Sequence, residues 1–252
     1  MTLLADLRLN RRTVLAGIAS SAIALPSTAV AYVNERISGP GYAAGGARWL
    51  LQNFGDVIAG KVAGTPFSRS LLCAMAYQET GYVWYTSLRR QVSATELLRL
   101  LVLDNSTPRS VFPRDTASFQ ADRRFGSLAK ELISASDASR RARGVKPTGK
   151  LLFGYGLFQN DLQNIERNPE FWTDEMGKDA AGNPIHGVWG DIGKSTDYFI
   201  RELAGKYDNA GRNMRRAVRA YNGSNSSSQI YLENVTIYEK AIADSLGERS
   251  LL

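Results

Sequence analysis

Residues 66–81, PFSRSLLCAMAYQETG, constrain this chain more than any other stretch. Leu72, Met75 and Ala76 lie seven, four and three positions before Glu79. At about 3.6 residues per turn they share one helical face with it. That face belongs in a core, and a carboxylate on it is costly unless something compensates. Ser68, just after Pro66, reads as the N-cap, and Gly81 as the end.

Further helical patterns follow the same logic. Residues 47–61 carry Trp49, Leu50, Phe54, Val57 and Ile58 at helical spacing. Ser93 and Glu96 stand in capping-box register, which predicts a helix over about 93–103. Residues 121–136, 193–207, 212–223 and 228–246 complete the helical set. Strand signals are few, with short extended pieces near 82–88 and 151–158. The expected class is mainly α with a small β-hairpin. The glycine-rich stretch 32–46 reads as a surface lead-in, and 104–120 and 139–150 as surface loops. The last holds three Arg and two Lys. Two readings stay open for it, a solvated loop or a grip on an anionic polymer.

One cysteine, Cys73, and one histidine, His186, exclude a good deal. No intrachain disulfide can form, and a Cys/His zinc site lacks ligands. His186, in GNPIHGVWG, has no sequence neighbour to orient it and reads as a loop or packing residue rather than a base. Acid–base chemistry then falls to carboxylates, Tyr or Lys. No metal and no organic cofactor is expected.

Residues 1–31 read as an export signal rather than fold. Arg8, Arg11 and Arg12 precede a mild apolar run over 14–25, then Pro26 and the Ala29-Val30-Ala31 cleavage pattern. The run is shorter than the roughly 20 residues that span a bilayer. The Arg11-Arg12 pair resembles a twin-arginine signal, although an ordinary secretory signal or an uncleaved anchor fits the segment as well. The mature protein, 32–252, is expected in a bacterial periplasm or outside the cell, as a monomer without a membrane span. The formal charge is +7, and the three Arg and one Asp of 1–31 leave +5 on the remainder. That balance suits an anionic polymer such as cell wall. Nucleic acid is not expected, because the basic residues are scattered.

Three short stretches stand out together: Gln78-Glu79-Thr80-Gly81, GYGLFQND over 154–161, and RAYNGS over 219–224. Singly each is ordinary turn or capping chemistry. In this order they resemble the lysozyme-like superfamily, in particular goose-type lysozymes and the catalytic domain of soluble lytic transglycosylases. In that family a helix ends in Glu-Ser-Gly, a Gly-x-Gly-Leu-Met-Gln turn follows, and Ala-Tyr-Asn closes another helix. Tyr231 and Val235 also look like the family's closing helix. The likeness covers about 66–82 and 150–245, with Thr80 in place of Ser and Phe158 in place of Met. It leaves a long insert at about 83–149.

The resemblance implies a peptidoglycan-cleaving glycosidase acting on the β-1,4 bond between N-acetylmuramic acid and N-acetylglucosamine. Glu79 would be its general acid and base. A buried face and a helix C-terminus both disfavour a charged carboxylate, which suits a proton donor. Thr80, Gly156, Leu157, Phe158, Gln159, Tyr221 and Asn222 would bind substrate or shape the groove. Gln159 would contact the N-acetylated sugar and Tyr221 would face the acid. Capping or surface pairing for Glu79 and core packing for Tyr221 are the plain alternatives. A hydrolase needs a second carboxylate to activate water, and a lytic transglycosylase needs none. Asp161 is the candidate, although it also suits a helix cap. Asp104 and Asp115 in the insert are further candidates. Two other functions stay open: a peptidoglycan-binding or secretion-accessory protein of the same fold, and a chitin or chitosan hydrolase.

Overall fold

The computed structural model describes residues 39–107, 109–223 and 226–252. The export segment 1–31 and most of the lead-in therefore lie outside the described residues. The chain is mainly α, with 61% helix and 6% strand. Among the described residues no helix is long and apolar enough to cross a membrane.

Helix α1, Pro40–Val62, starts inside the stretch expected to be a surface lead-in. Its small residues Ala43, Ala44, Gly45, Gly46 and Ala47 are buried. The reason is Tyr77, whose ring is wedged among Trp84, Tyr85 and Tyr238. A Cβ on Gly46 would lie 2.8 Å from that ring, so the helix approaches closely only because glycine is there.

Helix α2, Arg69–Ala76, is the axis of the first core. Ser68 caps it as expected, accepting the Leu71 N–H at 3.1 Å. Its residues from Ser70 to Ala76 are all buried, so it is enclosed on every side, against α1 and the last long helix. The helix does not stop at Gly81. Tyr77–Gly81 form a π-helical turn, and α3, Tyr82–Trp84, continues it. The extended piece expected near 82–88 is thus helical at its start, because Val83 and Trp84 pack inward with α2.

Helix α4, Ala94–Leu100, is capped by Ser93, which accepts the Glu96 N–H at 3.2 Å. It ends three residues earlier than its sequence pattern suggests. Leu101 leaves helical geometry, and β1, Val102–Leu103, pairs instead with a later strand. The turn-rich stretch 104–120 closes in α5, Thr116–Gln120, which buries Phe119 under an Asp115/Ser118 capping box. Helix α6, Ala129–Ala142, absorbs the start of the basic stretch 139–150. There Ser139 Oγ donates to the Val102 carbonyl at 2.7 Å, and Arg140 to the Lys150 carbonyl at 2.7 Å. Ser139 thus ties the helix to β1, and Arg140 ties it to the loop that leads into β2.

Strands β2, Gly154–Tyr155, and β3, Asn160–Asp161, complete a three-stranded antiparallel sheet in the order β1-β2-β3. After α7, Glu170–Thr173, a second hairpin pairs β4, Glu175–Lys178, with β5, Pro184–His186. Among the described residues two small sheets thus stand where one hairpin was expected. The sheet region, Phe119, Phe125, Ala129 and Leu132 of the insert, and Trp172, Val188 and Trp189 share a second hydrophobic cluster. Leu88, Leu97 and Leu98 of the insert pack in the first core instead, so the insert contributes to both. Helices α8, Ile192–Asn209, α9, Met214–Tyr221, and α10, Ser226–Leu246, return to the first core.

The glycines of α1 make opposite predictions. Gly60 is exposed with open space around its would-be Cβ, so Gly60→Ala should stabilise by about 0.5–1 kcal/mol. Gly46→Ala should destabilise by about 1–3 kcal/mol, because the wedged Tyr77 ring cannot yield. Denaturant unfolding of both variants checks this, and stabilisation by both would contradict the packing described.

Candidate active site

Glu79 sits inside the π turn, where an extra residue in the helix changes which side chains face which neighbour. Gly81 makes the turn compact, since a Cβ there would lie 2.5 Å from the Tyr77 ring. Glu79 is 8% exposed. From α10, Tyr231 Oη donates to Glu79 Oε1 at 2.9 Å. The helix continues past Glu79 to Trp84, so the C-terminus expected beside the acid lies further on.

Thr80, next to the acid, is fully buried. Its Oγ1 accepts the Trp84 indole N–H at 3.0 Å and lies 2.9 Å from the Leu157 carbonyl, to which it donates. It joins α2 to the glycine turn rather than touching a surface ligand. Leu157 and Phe158 are also fully buried. Phe158 stacks on Phe199 with ring centres 4.1 Å apart. These three expected substrate contacts act as supports through their side chains.

Gly156 has φ +77°, and a Cβ on it would press on Trp189. Gln159 has φ +52° and is 3% exposed. Its Nε2 donates back to the Gly156 carbonyl at 2.9 Å. Gln159 therefore locks its own turn, and its amide does not reach outward to a sugar as expected. Tyr221 Oη donates to the Phe158 carbonyl at 2.9 Å, and its ring stacks on Tyr231. The chain of contacts Glu79–Tyr231–Tyr221–glycine turn thus brings the three sequence stretches together.

A cleft of about 790 Å³ opens beside this chain. Tyr221, Asn222, Asp161 and Asp104 line it, whereas Glu79 and Tyr231 are not among the lining residues. Asp161 is held twice. It accepts the Gln163 N–H at 3.0 Å as a helix cap, and it pairs with Arg109 Nη2 at 2.5 Å. The capping alternative is what the geometry has. Asp104 adopts φ +61°, accepts the Ser106 N–H at 2.9 Å and lies 3.8 Å from Arg109 Nη1. Asp115 is spent on the α5 cap. The Tyr82 pKa is raised by its surroundings. Burial pushes its hydroxyl up, Arg143 opposes the shift, and Glu79 and Asp104 add to it.

His186 lies in the second hairpin. Its Nδ1 is 2.7 Å from Glu131 Oε2, and its N–H donates to Glu131 Oε1 at 2.7 Å. The sequence neighbourhood offered nothing to orient this ring, and the structure supplies Glu131 from 55 residues away. Among the described residues no cluster of three His, Cys, Asp or Glu could hold a metal ion. Sequence reasoning missed the parts played by Tyr231, Tyr82 and Arg109. Tyr231 had a signal, its place on the closing helix, whereas Arg109 had none.

Thr80→Val keeps shape and removes the hydroxyl, stranding the buried Trp84 N–H. It should cost about 1–3 kcal/mol of stability, while Thr80→Ser keeps the bonds and loses less. Equal unfolding midpoints for Val and Ser would contradict the joint described here.

No family model, no curated protein and no solved structure matches this chain.

Proposed function

We propose that this protein is an exported enzyme that cleaves the β-1,4 bond of peptidoglycan between muramyl and glucosaminyl residues, with Glu79 as general acid and base. The observation that carries the reading is the buried Glu79 in a π turn, bonded by Tyr231, whose ring stacks on the cleft-lining Tyr221. The ordered likeness of ETG, GYGLFQ and AYNG to lysozyme-like enzymes supports it.

Glu79 gives its proton to the departing glycosidic oxygen as the C1–O bond breaks. In the transglycosylase route the acetamido group of the muramyl residue first stabilises C1. Its 6-hydroxyl then attacks C1 and returns a proton to Glu79, leaving a 1,6-anhydro end and consuming no water. Hydrolysis instead needs a carboxylate about 6.5–9.5 Å from the acid in the inverting case, able to activate water. The tie of Asp161 to Arg109 and to its helix cap favours the one-carboxylate route. The segment 1–31 is the export signal in this reading, and the product is released in the periplasm or outside the cell.

A second reading draws on one observation, that Glu79 does not line the cleft. In it the protein binds cell wall without turning it over. Purified protein and its Glu79→Gln form are incubated with peptidoglycan, and soluble products are weighed by mass spectrometry. The enzyme reading expects anhydro-muramyl fragments from the wild type and at least a hundredfold less from Glu79→Gln. Reducing ends would replace the transglycosylase route by hydrolysis, and Asp104→Asn would then be the variant that abolishes release. Binding without any soluble fragment would establish the second reading, and release from chitin alone would replace the substrate.

A further inference from the structure

Basic residues are scattered over most of the sequence, but four arginines gather where α8 turns into α9: Arg212, Arg215, Arg216 and Arg219. All four are exposed, while Ala217, Val218 and Tyr221 of the same helix are buried. Helix α9 carries no acidic residue to answer them. Among the described residues the one side-chain acid within ion-pair reach is Asp208, 3.6 Å from Arg212 Nε, and both side chains are open to water. Arg215 Nη1 donates to the Leu252 carbonyl at 2.7 Å, and Arg219 Nε donates to Ser228 Oγ at 3.3 Å.

Within the molecule this placement is unfavourable. Arg215 and Arg216 stand in the first turn of α9, where the helix dipole favours acids and opposes cations. Arg219 follows them by four and three positions, so it adds like charge to the same surface. Arg212 holds φ +59°, in the left-handed region that a non-glycine residue rarely adopts. A helix that breaks local rules without an internal gain points to a use outside the fold. A layer of negative charge against this face offsets both the dipole and the like-charge terms.

The shape of the face selects the partner. None of the four arginines lines the cleft. They stand on the outer side of a short helix, a convex patch rather than a groove. Single strands are tracked by grooves with aromatic platforms, and residues 211–219 hold no aromatic ring. A convex basic helix face instead lies on a sheet of headgroups. The Arg215 bond also brings the tail against α9, with exposed Arg249 and Leu251 on it. Ala220, one turn beyond Arg216 on the same side of α9, lines the cleft, as does Lys206 of α8. The patch therefore borders the cleft mouth.

We propose that the α9 arginine patch docks this protein on an anionic lipid surface, with headgroup phosphates against the guanidinium groups and the cleft mouth held beside the bilayer. Docking of this kind serves an enzyme and a wall-binding protein alike, so it stands apart from the role given to Glu79.

The test is sedimentation of the full chain with vesicles of phosphatidylcholine alone or with about 30% phosphatidylglycerol, at about 0.1 M salt. The parent should bind the anionic vesicles at least about tenfold better than the neutral ones. Changing Arg212→Gln, Arg216→Gln and Arg219→Gln together should weaken that binding about a hundredfold, roughly fivefold per arginine. Lysine at the same three positions keeps the charge and should stay within about threefold of the parent. Arg90→Gln, Arg141→Gln and Lys146→Gln together remove exposed charge elsewhere and should also stay within about threefold. Residues 1–31 are common to all these chains, so the differences belong to the patch. The Tm of the α9 glutamine variant should match or exceed the parent's, because first-turn cations are unfavourable. Equal vesicle binding by parent and α9 glutamine variant overturns the proposal, as does equal weakening by the two glutamine variants. A loss repeated in the lysine variant is an effect on the fold and overturns it as well. Binding to soluble polyphosphate with none to vesicles replaces the lipid surface by a soluble polyanion and likewise overturns it.

Discussion

Burying one carboxylate in an apolar helix obliges the protein to supply it with a donor, and Tyr231 Oη does so at 2.9 Å. Much of the first core is arranged around that bond. Tyr231 is carried by α10, which packs along α2 and α1. Tyr221 stacks against it and ties the glycine turn by bonding the Phe158 carbonyl. Thr80 fastens the same turn to the helix from the other side of Glu79. The π turn is where these demands meet. One extra residue lets Tyr77 wedge against Gly46 and Gly81 while Glu79 and Thr80 face different partners.

A buried charge pair ties the insert to the three-stranded sheet. Arg109 reaches from the insert to Asp161, and both side chains are 11% exposed. A buried pair of this kind contributes little net stability, because desolvation offsets most of the attraction. Its geometric consequence is larger, since it fixes the insert loop against β3 and orients a guanidinium beside the cleft. Glu239 provides a contrast. It is fully buried, yet accepts from Ser70 Oγ at 3.1 Å and from the Leu251 N–H at 3.0 Å, binding the chain end to α2. Its partners account for it as a structural carboxylate, away from the cleft.

The helices were legible because capping and periodicity are local. Ser68 and Ser93 cap where their sequence places them. Glycine was misleading, because its meaning depends on what packs against it. The lead-in is helix from Pro40, and its residues 43–46 are buried because Tyr77 and Tyr85 lie on Gly45 and Gly46. Strands of two residues leave no alternation to read, so β1 was absorbed into a predicted helix. Within the site, Glu79 stood out by its apolar surroundings. The inward turn of Thr80 and Gln159 did not, because both bond to backbone carbonyls rather than to readable side chains. The Arg109–Asp161 pair spans 52 residues and has no local signature.

The account turns on whether the bond to be broken lies against residue 79. A crystal structure of the full chain with Glu79→Gln, soaked with a muramyl–glucosaminyl oligomer, measures this directly. It should show a glycosidic oxygen within about 3 Å of the residue 79 side chain, reached from the cleft past Tyr221. An oligomer confined to the cleft walls, with no glycosidic oxygen near residue 79, would contradict it.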